Sequence, residues 1–103
     1  MELATLYARR GQPGLVQLAK KSGLKVAYIQ RLLYVLERRP SVERAELLIH
    51  ASRQLWGKAN ALTLEGLTNP IYFQDAIDSA VKDGTAHAKF MLRARAPREE
   101  VPA

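Results

Sequence analysis

The 103-residue sequence contains no cysteine, a single tryptophan, two phenylalanines and two histidines. Without thiols there are no disulfides, no thiolate metal sites and no cysteine nucleophile. The histidines, His50 and His87, are far apart in sequence and show no HExxH or other paired-ligand spacing, so no metal and no cofactor are expected. No Gly-rich nucleotide loop is present. Asp75 and Asp78 stand i, i+3 on a helix face and read as solvated carboxylates, so the chain is expected not to be an enzyme. No apolar run approaches the length of a membrane span, and Met1-Glu2 opens on an acid where a signal peptide would carry positive charge. These features predict a cytoplasmic protein with no membrane association. Alternating strand patterns and internal repeats are also missing, which leaves an all-α fold.

Acidic residues are scarce in one half only. Residues 1–40 hold eight basic residues (Arg9, Arg10, Lys20, Lys21, Lys25, Arg31, Arg38, Arg39) against Glu2 and Glu37. Residues 41–103 hold eight of each sign, so the whole net charge of +6 sits in the first segment. A one-sided basic field suits a polyanion, because every neutralised phosphate releases condensed counterions.

Apolar spacing places a helix over residues 2–10, stopped by Gly11, and a second from Pro13 to about Lys21. Gly23 supplies a turn. A third helix is predicted from Val26 to Glu37, ending before Pro40. Ser41 caps a fourth, with Ala45, Leu48, Ile49, Ser52 and Trp56 inward. Thr63 caps the short turn "LEGL". Asn69-Pro70 is expected to open a further helix bearing the stripe Tyr72, Phe73, Ala76, Ile77, Ala80 and Val81. Residues 86–95 form a last short helix, and 96–103 read as a flexible tail.

The stretch "LAKKSGLKVAYIQRLL" has the spacing of a helix-turn-helix. Ala19 is small enough for close helix crossing and Gly23 can turn left-handed. Leu24, Ile29 and Leu32 are the apolar locks. On a helical wheel Ile29, Leu32, Leu33 and Leu36 face inward. Lys25, Val26, Ala27, Gln30, Arg31 and Tyr34 are then the candidates for contacting bases in the major groove of double-stranded DNA. Gln30 suits adenine and Arg31 guanine, while Val26 and Ala27 suit thymine methyls. Lys20, Lys21, Tyr28, Arg38 and Arg39 are placed for backbone phosphates.

"LAKKSGLKVAYIQRLL", followed by "ERRPSVERAELLIHAS" and "ALTLEGLTNP", resembles the Cro/repressor-like helix-turn-helix regulators, closest to the phage- and prophage-encoded YdaS-type group. The matching positions are Leu18, Ala19, Gly23, Leu24, Ile29, Arg38, Arg39, Pro40, Glu43, Arg44, Thr63, Leu67 and Pro70, spread over about 60% of the chain. The resemblance implies a compact five-helix DNA-binding domain, here residues 1–69, acting as a homodimeric transcriptional regulator at a palindromic operator. Three departures stand out. Lys25 replaces the usual small polar helix cap, and the Gly that precedes the Arg pair is missing, so the third helix is free to run longer. Residues 71–103 have no counterpart in short members. Residues 70–95 are therefore read as a C-terminal helical extension, either an extra helix packed on the core or a surface serving dimerisation or, through 70–82, a protein partner. The alternative function is a protein-interaction module, such as an antitoxin or anti-repressor, working through that helix.

Overall fold

A computed structural model of the chain describes residues 1–35 and 37–95. The predicted tail 96–103 and the inward placement of Leu36 lie outside the described residues. Among them the architecture is all-α, without strands: α1 (Leu3–Ser22), α2 (Val26–Tyr34), α3 (Val42–Trp56), a 3-10 turn (Lys58–Asn60), α4 (Leu64–Thr68), α5 (Phe73–Asp83) and α6 (Ala88–Arg95). No helix of the described residues is long and apolar enough to cross a membrane.

The two helices predicted before Ser22 form one run broken at Gly11, whose φ of 68° and ψ of −164° leave the helical region. A side chain there would be strained by its dihedrals and would also meet the His87 ring at 3.0 Å. Pro13 falls in the turn that restarts the helix, where its missing N–H costs least. Leu3, Leu6, Leu15 and Leu18 all face inward from α1.

Ser41 caps α3 by accepting a hydrogen bond from the Arg44 N–H at 3.2 Å, and Glu43 adds negative charge to the first turn. Ser52 is the one fully buried polar side chain of the described core. Its hydroxyl donates to the Ile49 carbonyl at 2.8 Å and accepts from the Leu62 N–H at 2.9 Å, so the chain leaving the 3-10 turn is tied back to α3. A buried hydroxyl with both functions satisfied avoids the penalty of an orphaned polar group. Thr63 then caps α4 through the Gly66 N–H at 3.0 Å.

α1 is the hub, packing against α2, α3 and α5. One buried cluster runs from Leu3, Leu6, Leu15 and Leu18 through Ile29, Leu33, Leu48 and Leu67 to Ala76, Ile77, Ala80 and Phe90. At about 1.5–3 kcal/mol for each fully buried large apolar side chain, this cluster is the main favourable term in folding. The last helices are joined to the first by specific contacts. Phe90 meets Tyr7 edge-on with ring centroids 5.3 Å apart, and the His87 N–H donates to the Ala8 carbonyl at 2.8 Å. The Nδ1 of His87 accepts from the Lys89 N–H at 3.2 Å and so starts α6.

Two predicted boundaries move. α2 ends at Tyr34 rather than Glu37, where β-branched Val35 adopts extended geometry (φ −109°, ψ 98°). The fifth helix starts at Phe73 with Tyr72 as its extended cap residue, not at Asn69-Pro70. Asn69 instead closes α4, its N–H donating to the Glu65 carbonyl at 2.9 Å. Of the predicted stripe, Ala76, Ile77 and Ala80 are buried, Phe73 and Val81 half-buried, and Tyr72 exposed.

Candidate nucleic-acid interface

The position of α2 follows from the turn before it. Gly23 sits in the left-handed region (φ 79°, ψ 6°) and its N–H donates to the Ala19 carbonyl at 2.9 Å. The Ser22 hydroxyl donates to the same carbonyl at 3.4 Å and accepts from the Leu24 N–H at 3.3 Å. Lys25 is the extended cap residue of α2, and its carbonyl receives the Tyr28 and Ile29 N–H groups at 3.1 and 3.2 Å. Its side chain makes no capping bond, since an ammonium group can donate a hydrogen bond but not accept one. Ile29, Leu32 and Leu33 lock the inner face into the core, and buried Ala19 lets the helices approach.

The outward side of α2 carries Lys25, Ala27, Arg31 and Tyr34, all exposed. Gln30 is half-buried. Val26 and Tyr28 are half-buried and packed against the core, so they offer only part of their surface. Lys20 and Lys21 stand exposed at the end of α1, and Arg38 and Arg39 are exposed on the connection to α3. Among the described residues Lys20, Lys21, Lys25 and Arg31 form no ion pair, so their charge projects into solvent uncompensated.

Two of the tyrosines have second partners. Tyr34 meets Phe73 edge-on at 5.0 Å, with Tyr72 a further 4.8 Å from Phe73, which ties the end of α2 to the start of α5. Tyr28 lies under the Arg44 guanidinium at 4.8 Å. Arg44 thus joins the basic side of α2 from a different helix. The sequence gives no sign of this, since "VERAE" reads as balanced charge and the contact is purely tertiary.

Trp56, read from the sequence as core, is half-buried at the end of α3. The Arg10 guanidinium covers its ring at 4.3 Å, and Gln17, Lys20 and Lys21 line an adjoining groove. Partial burial, reinforced by the neighbouring Arg9 charge, lowers the Arg10 pKa from its ordinary value.

Among the described residues no three His, Cys, Asp or Glu side chains gather where they could hold a metal. What the surface offers is a set of fixed cations around a short helix whose apolar side is anchored. No family model, curated protein or solved structure matches the chain.

Proposed function

We propose that the chain is a sequence-specific DNA-binding transcriptional regulator of Cro/repressor type that lays α2 in the major groove. The observation that supports this best is the anchored helix with an uncompensated basic outer side: Ile29, Leu32 and Leu33 buried, Lys25, Ala27 and Arg31 exposed, Lys20 and Lys21 alongside. In this reading Arg31 reads guanine, Gln30 reaches adenine through its exposed portion, and Ala27 and Val26 meet thymine methyls. Lys20, Lys21, Arg38, Arg39 and the Tyr28 hydroxyl hold phosphates, with Arg44 added to that set. The start of α2, which no side chain caps, presents free N–H groups suited to a phosphate oxygen.

The reading includes action in the cytoplasm as a homodimer on half-sites about 34 Å apart. Tyr34, Val35, Ile71 and Tyr72 are each exposed, and Tyr34 and Tyr72 both stand beside Phe73, so an apolar two-fold contact is better served there than by the α5 stripe. That stripe is turned inward at Ala76, Ile77 and Ala80, so an interaction module acting through α5 has less surface to work with.

Selection of bound duplexes from a random pool at near-physiological salt tests the proposal. A palindromic consensus with half-sites one helical turn apart is the expected result. Equal affinity for selected and scrambled duplexes would overturn it.

A further inference from the structure

The groove between α1 and α3 has a composition that DNA reading by α2 does not require. Gln17, Lys20 and Lys21 form one wall, at i, i+3 and i+4 on α1, and Leu55 and Trp56 form the other. Its volume is about 470 Å³, within the range of roughly 300–1,000 Å³ typical of small-molecule sites. One side of the Trp56 ring is held by Arg10, which fixes the indole without a carboxylate partner. Lys20 and Lys21 have no ion-pair partner among the described residues.

We propose that this groove binds an amphipathic organic anion: an aromatic ring bearing a carboxylate, sulfonate or phosphate. The ring lies against Leu55 and Trp56, and the anionic group sits between Lys20 and Lys21 with Gln17 as an additional donor. Charge complementarity selects the anion, since two lysines without ion-pair partners among the described residues gain nothing from a neutral ring beyond its apolar contact. The groove is open to solvent along its length, and its volume matches a small aromatic molecule. Where DNA also uses Lys20 and Lys21, a consequence that rests on the function proposed above, the anion and the duplex compete for the same two cations.

Trp56 is the only tryptophan of the chain, so its emission reports this groove. The full-length protein, without DNA, is titrated with 3,5-dinitrobenzoate and separately with the neutral 3,5-dinitrobenzamide. The expected result is saturable 1:1 quenching, at least tenfold tighter for the anion, and weakened at least fivefold in the Lys20→Gln/Lys21→Gln double variant. Amide shift changes on the unaltered protein should be confined to Gln17, Lys20, Lys21, Leu55, Trp56 and their neighbours. Non-saturating quenching, equal affinity for the amide, or shifts elsewhere would overturn the proposal. It also fails if single-stranded oligothymidylate saturates the signal while dinitrobenzoate does not. Because the titration contains no duplex, its failure and that of the DNA reading are read separately.

Discussion

α2 and α5 are two answers to one packing problem. Both are short amphipathic helices of 9 and 11 residues, each packed against α1 by small and aliphatic side chains. Their outer sides carry opposite charge. α2 shows Lys25 and Arg31, whereas α5 shows Asp75, Asp78 and Asp83 against Lys82. On α5 the Gln74 amide donates to the Asp78 carboxylate at 3.0 Å, so part of its polar surface is already engaged. The inward stripe decides where a helix sits, and the outward residues decide what it can meet. Under the proposed function, a duplex attracted to the basic side of α2 would meet repulsion from the acidic side of α5.

The strongest test of the equivalence is in the core. Ile29→Ala and Ile77→Ala should each lower stability by about 2–5 kcal/mol in urea unfolding. The larger loss is expected at Ile29, which is fully buried where Ile77 is 9% exposed. If Ile77→Ala instead left stability unchanged, α5 would be an appendage and the comparison would collapse. The outer sides should part next. Arg31→Ala should lose about 1–3 kcal/mol of discrimination at one base pair in competition binding, while Asp78→Ala leaves that preference intact. A uniform loss across sequences for Arg31→Ala would reassign it to phosphate.

The two terminating glycines give a smaller, matched pair. Gly23 and Gly84 have φ of 79° and 75°, and a Cβ at either would meet nothing within 4 Å. Alanine at each should therefore cost only the left-handed strain, about 1–2 kcal/mol by thermal unfolding. A much larger cost at Gly23 alone would mean that the turn bears on the approach of α2 beyond its own dihedrals. The smallest effect separates the helix starts. Lys25→Ser should stabilise the fold by about 0.5–1 kcal/mol by supplying the missing cap, while duplex binding weakens and its salt dependence flattens. Unchanged salt dependence would remove Lys25 from the interface.

Much of this arrangement is legible in the sequence because it is local. The periodic leucines, Gly23, and the caps Ser41 and Thr63 each announce themselves within a few residues. The errors arise where a local pattern admits two readings or where distant contacts decide. Nothing near Leu33 shows that Tyr34 meets Phe73 and that the chain becomes extended at Val35. Asn69-Pro70 fits the end of one helix as well as the start of another, and the Glu65 carbonyl decides between them. For the candidate site, the exposed Lys25, Ala27, Arg31 and Tyr34 follow from the helical wheel. The half-burial of Val26, Gln30 and Tyr28 depends on neighbouring elements, as does the contribution of Arg44. Trp56 fits the inward stripe of α3 by spacing, yet it lies in the helix's last turn, where that stripe emerges beside Arg10.

The central position of α1 also has a consequence for synthesis. α1 emerges before α2 and α3 and meets them soon after, but its contacts with α5 and the Tyr7–Phe90 pair wait until residues 73–90 have been made. Such sequence-distant contacts raise contact order and delay closure of the core. A nascent chain halted before Phe73 leaves uncovered the side of α1 that α5 occupies, a surface open to chaperones. α1 is enclosed only once α5 has followed it, and until then α2 rests on an incompletely packed support.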